Sequence, residues 1–112
     1  MSAADVFAIL WSTLVDLLGS AAAATLLRRA ARKARARAPE LEQLRVVRER
    51  WGYRYSAPAG WESQNVRETP ALAELVVSEL CPILHDLTGP LVLRRLEAVP
   101  ELEELLVTRS ER

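Results

Sequence analysis

The chain has 112 residues, 50% of them hydrophobic and 27% charged, with 15 Lys+Arg balancing 15 Asp+Glu. That length suits one domain over residues 1–112 with a single core, the composition excludes extended disorder, and a lone cysteine, Cys81, excludes an internal disulfide. The balanced total hides a gradient: residues 1–56 carry ten Arg+Lys and five Asp+Glu, and residues 57–112 carry five and ten. The first half therefore invites an acidic partner, although the second half, or a second copy of the chain, is a sufficient one.

The apolar run Val6 to Leu27 approaches the ~20 residues of a membrane span. Across residues 5–20, however, Asp5, Ser12, Thr13, Asp16 and Ser20 fall on one side of a helical wheel and Phe7, Leu10, Leu14, Leu17 and Leu18 on the other. This is the amphipathic pattern of a globular helix. No Lys or Arg precedes Arg28, so a basic secretory n-region is missing. The expectation is a cytoplasmic protein without a membrane partner.

Helix one is predicted over Ala4 to Leu18. If it ran on unbroken, Arg28 and Arg32 would land on the face of Leu10, Leu14 and Leu17 and bury charge. The chain must therefore turn at Gly19-Ser20, with Gly19 as the C-terminal stop and Ser20 as the next N-cap. From Ser20 to Ala38, SAAAATLLRRAARKARARA places Ala23, Leu26, Leu27, Ala30, Ala31 and Ala34 on one face of helix two. Arg28, Arg29, Arg32, Lys33, Arg35 and Arg37 fill the rest. Pro39 ends the helix through its effect on Ala38, and Leu41 and Leu44 sit on one further short turn.

LRVVRERWGYRY then changes character, with β-branched and aromatic residues around Gly52. It predicts a β-hairpin: a strand near Leu44 to Glu49, a turn at Arg50 to Gly52, and a strand near Tyr53 to Ser56. Alternation sets Val47 and Glu49 on one face and Val46 and Arg48 on the other. The polar stretch Ala57 to Thr69 is the longest connection and the expected mobile segment, pinned to the body by Trp61. Thr69-Pro70 reads as an N-cap followed by proline at the first helical position. Leu72, Leu75, Val76, Leu80, Ile83, Leu84 and Leu87 form the main core helix, bent at Pro82 because that residue has no N–H for the carbonyl of Ser78. After Thr88-Gly89-Pro90, Leu91 to Leu96 is expected as a third antiparallel strand, since a two-stranded hairpin alone is marginal. Pro100 opens a short C-terminal helix with Leu102, Leu105 and Leu106 inside and Glu101, Glu103 and Glu104 outside, and Thr108 to Arg112 are expected to fray. The fold class is α+β: an N-terminal helical pair, a hairpin, a bent core helix, a third strand and a short C-terminal helix.

Two stretches are candidate binding surfaces. Arg28, Arg29, Arg32 and Lys33 lead the basic helix, whose spacing is that of a phosphate-binding footprint or of a solvated face neutralised by Glu40, Glu42 or the C-terminal glutamates. Arg48, Arg50, Trp51, Tyr53, Arg54 and Tyr55, joined by Trp61, interleave aromatics with arginines, as base-stacking surfaces do and as cross-strand packing in a half-buried hairpin also does. Cys81 and His85 are spaced i, i+4, yet two ligands do not make a zinc site and the chain has no other Cys or His. The four glycines stand singly, so no phosphate-cradling loop is present. No catalytic residue, metal or cofactor is assigned, and the chain reads as a non-enzyme. The leading expectation is a non-catalytic protein-interaction or regulatory module, self-associating as a homodimer through the Phe7 and Trp11 face of helix one. A nucleic-acid binding module is the alternative and needs the arginines of 28–37 and 48–54 to form one patch. A small-ligand sensor comes third and needs a cavity lined by Trp51, Tyr53 and Leu84.

Overall fold

The computed structural model describes residues 1–103, 105 and 106. Helix α1 (Ala3–Leu18) starts at Ser2, whose hydroxyl accepts the Asp5 N–H at 3.1 Å. Helix α2 (Ser20–Ala34) follows after a single residue. Gly19 sits at φ 88°, ψ 158°, a region essentially reserved for glycine. Its N–H donates to the Val15 carbonyl at 2.8 Å and its carbonyl accepts the Ala23 N–H at 3.1 Å. One glycine thus closes α1 and starts α2, and Ser20 lies inside α2 rather than capping it. All six apolar positions expected on the inner face of α2 are buried, and the small Ala side chains let this helix pack closely on its neighbours. Among the described residues no helix is long and apolar enough to cross a membrane.

A short 3-10 turn (Pro39–Gln43) buries Leu41 and leads to the hairpin of β1 (Arg45–Glu49) and β2 (Gly52–Ser56). The register pairs Val46 with Tyr55, Val47 with Arg54 and Arg48 with Tyr53, around a two-residue turn at Arg50 and Trp51. Val46 is 8% exposed and Val47 45% exposed, so the face carrying Val46, Tyr53 and Tyr55 is the one turned to the body. The connection expected to be mobile is instead tied down. Its two 3-10 turns (Ala59–Glu62 and Val66–Glu68) bury Trp61 and Val66, and Gln64 accepts the Ala3 N–H at 2.8 Å. Thr69 is the N-cap of the next helix and Pro70 its first residue, as expected, but the Thr69 hydroxyl is buried and donates to the Asn65 carbonyl at 2.9 Å, so the cap is made by its backbone carbonyl, which accepts the Leu72 N–H at 3.1 Å.

Helix α3 (Pro70–Ala73) runs into a π-helical segment (Glu74–Leu80) and then α4 (Cys81–Thr88). The Cys81 N–H donates to the carbonyl of Val76, five residues back. A proline at 82 would press its ring against the Ser78 carbonyl of a regular helix, and the wider turn just before it relieves that clash. The helix widens in the turns just before Pro82, where the sequence marks the irregularity. This element packs on α2 and buries Leu72, Leu75, Val76, Leu80, Ile83 and Leu84, while Leu87 is 62% exposed.

Leu91 to Leu96 do not form a third strand: they lie in helix α5 (Pro90–Glu97), and the sheet has two strands. Gly89, at φ 68°, stops α4, and Pro90 supplies the first helical position. The buried pair Leu93 and Leu96 has helical spacing, with Arg94 and Arg95 exposed between them, whereas a strand would carry Arg95 on the same face as Leu93. The hairpin needs no third strand of its own because it rests on α2. A 3-10 turn (Pro100–Leu102) and buried Leu105 and Leu106 follow. Glu104 and the Thr108 to Arg112 segment, expected to be solvated and frayed, lie outside the described residues.

Candidate binding groove between helix α2 and strand β1

The aromatic and basic residues nominated from sequence separate into three environments. Tyr55 and Trp61 turn inward. Phe7 meets the Tyr55 ring edge-on at 4.9 Å and the Trp61 ring at 5.9 Å, and Trp11 meets Tyr55 at 5.8 Å. Trp61 is 0% exposed, and its indole Nε1–H donates to Glu40 Oε2 at 3.1 Å. It is a core residue and leaves the candidate surface. Burial also pushes the Tyr55 phenol above its ordinary value of 10.0. The same cluster corrects the proposed self-association face: Phe7 is fully enclosed and cannot contact a second copy.

At the far end of the hairpin Trp51 is 90% exposed, with the Arg50 guanidinium 5.4 Å from its ring. Arg54 lies on the outer face and pairs with Glu49 at 3.1 Å. The cavity required by a sensor is not formed: Trp51 stands in solvent at the tip, whereas Leu84 is fully buried in the core. Cys81 is buried and His85 exposed on α4. Among the described residues no group of three potential metal ligands occurs.

The third environment lies between α2 and β1. A groove of about 270 Å³ has a floor of Leu27, Ala31, Leu41, Leu44 and Val46 and a rim of Arg28, Arg32, Arg35 and Arg45. Arg28 and Arg32 also border a second depression with Arg29 and Lys33, so the cationic face is continuous across α2. Arg28 is held in place: its Nε donates to the Val46 carbonyl at 2.7 Å and its guanidinium lies 5.7 Å from the Tyr53 ring. Arg37 is different. It turns away to bond Glu74, at 2.7 Å, and Glu79, and these bonds raise its pKa further. Glu40, one expected neutraliser of the basic helix, is engaged with Trp61. Among the described residues no carboxylate lies within 4.0 Å of the charged groups of Arg28, Arg29, Arg32, Lys33, Arg35 or Arg45.

Backbone geometry adds a second feature. Because the turn holds two residues, Glu49 and Gly52 exchange both ladder hydrogen bonds, and so do Val47 with Arg54 and Arg45 with Ser56. The peptide groups of Val46 and Arg48 therefore point away from β2, along an open edge. Arg28 meets the chain there, at the Val46 carbonyl. Arg45 and this edge were not singled out from the sequence. The only signal for them is the register of the hairpin, which the residue pattern leaves open. No family model, no curated protein sequence and no solved structure matches the chain.

Proposed function

We propose that this protein is a non-catalytic interaction module that binds an acidic partner protein through the groove between α2 and β1. The observation that carries the reading is a cationic rim, Arg28, Arg32, Arg35 and Arg45, set around an apolar floor and without a carboxylate of its own among the described residues. Charge on a rim steers and orients a partner, and a desolvated apolar floor supplies the affinity. A nucleic-acid backbone would use the arginines and leave the floor unfilled. The base-stacking aromatics that such a surface needs are also depleted, since Trp61 and much of Tyr55 are packed against Phe7. Titrating the labelled protein with polyglutamate, a DNA duplex and a single strand tests this. Amide shifts on α2 and β1 with polyglutamate, lost in an Arg32→Glu, Arg35→Glu variant, are expected. Tighter binding to either oligonucleotide with a steep salt dependence would replace the reading with the nucleic-acid one, and no binding to any of the three would overturn it.

Self-association is a second reading, now carried by Trp11, Val15 and Leu18, which share one side of α1 and are only partly covered. Sedimentation checks it: a Trp11→Glu change should lower the association constant, and a monomer at every concentration would remove the idea.

A further inference from the structure

We infer that the open edge of β1 accepts an extended acidic segment of the partner as a third strand of the sheet. The inference rests on the interaction-module reading and specifies the conformation and chemistry of what the groove takes. Edge strands present rows of unpaired donors and acceptors and are ordinarily blunted by proline, a bulge or a covering element. On β1 the outward peptide groups are those of Val46 and Arg48. The Val46 carbonyl is taken by Arg28, and among the described residues the Val46 N–H, the Arg48 N–H and the Arg48 carbonyl have no partner. Among the described residues no further strand lies beside this edge, and Leu91 to Leu96 are helical.

Charge decides the occupant. A second copy pairing through the same edge would bring Arg45 and Arg48 of each chain against those of the other, and the arginine rim would face another arginine rim. An acidic strand meets the opposite sign. Successive side chains of a strand alternate between faces, so a segment alternating acidic with β-branched apolar residues would set carboxylates beside Arg45 on the outer face of β1 and methyl groups beside Val46 on the face turned to α2. Bidentate arginine–carboxylate pairing would fix its register. An acidic helix could satisfy the charges, but its own peptide groups are already bonded and it would leave the edge open.

The test uses the full chain and three peptides of about nine residues, long enough to span an ordinary strand. One alternates Glu with Val, the second has the same composition in scrambled order, and the third is the alternating peptide with a central proline. With the alternating peptide, hydrogen exchange at the Val46 and Arg48 amides should slow at least about tenfold, and the central proline should weaken binding about tenfold or more by removing a ladder donor. An Arg45→Glu variant that retains its native circular dichroism should lose most of the affinity. Equal binding of all three peptides without protection at Val46 and Arg48 would overturn strand addition while leaving the acidic-partner reading intact. If none of the peptides binds, both fall. If a single-stranded oligonucleotide binds more tightly than the alternating peptide, the groove belongs to a nucleic acid and strand addition is likewise overturned.

Discussion

The base and the tip of one short hairpin carry the same residue types in opposite roles. At the base, Tyr55 and the nearby Trp61 close against Phe7 and Trp11, and Trp61 gives its indole N–H to Glu40. At the tip, Trp51 stands almost wholly in solvent beside Arg50. An aromatic next to an arginine thus has no meaning until the register says which face it shares and what packs opposite. The same holds for the arginines of α2, where Arg37 is consumed by Glu74 and Glu79 and its neighbours Arg32 and Arg35 are left to the groove.

The contrast is broken most directly by removing the two indoles in turn. Trp61→Ala should cost about 3–5 kcal/mol, the range for emptying a fully buried large aromatic site. If urea denaturation gave Trp61→Ala no larger a loss than Trp51→Ala, the division into base and tip would be wrong. Glu40→Leu is the next largest change. It strands the Trp61 indole N–H in the interior and should cost about 1–3 kcal/mol, read by the same denaturation and by the near-ultraviolet circular dichroism of the tryptophan.

Alkaline pH sharpens the comparison further. The Tyr55 phenol is held above 10.0 by burial, so up to that pH both folded and unfolded chains keep it neutral and its contribution is complete. As pH rises past 10.0 the unfolded chain ionises first, and stability is lost until the folded-state value is passed. Tyr55→Phe should flatten that fall, measured as the melting temperature against pH, and an unchanged slope would show that Tyr55 is not enclosed. The smallest effect is at the tip: Trp51→Ala should shift stability by no more than about 0.5 kcal/mol, while removing the most readily quenched component of the tryptophan fluorescence.

Helices and their inner faces were legible because the signal for them is local and periodic. The break at Gly19, the buried face of α2 from Ala23 to Ala34, and the core stripe from Leu72 to Leu84 all follow from the cost of burying charge and from the 3.6-residue repeat. Leu91 to Leu96 was misread because four apolar residues in a stretch of six carry too little periodicity to separate strand from helix, and because a hairpin without other support needs a third strand. That support comes from α2, an element distant from 91–96 in the chain. Of the candidate surface, the basic residues of α2 were visible. Their joining with Arg45 and the β1 edge was not, because a groove between two elements has no signature in either one.

By itself, then, the order of residues determined where the chain turns and which stripes must leave water, since both depend on interactions within a few residues of each other. Only the tertiary structure decided which aromatics are core and which arginines remain unneutralised. Those outcomes depend on what lies across a register or an interface, and a carboxylate such as Glu74 neutralises Arg37 only if folding brings it within a few ångströms.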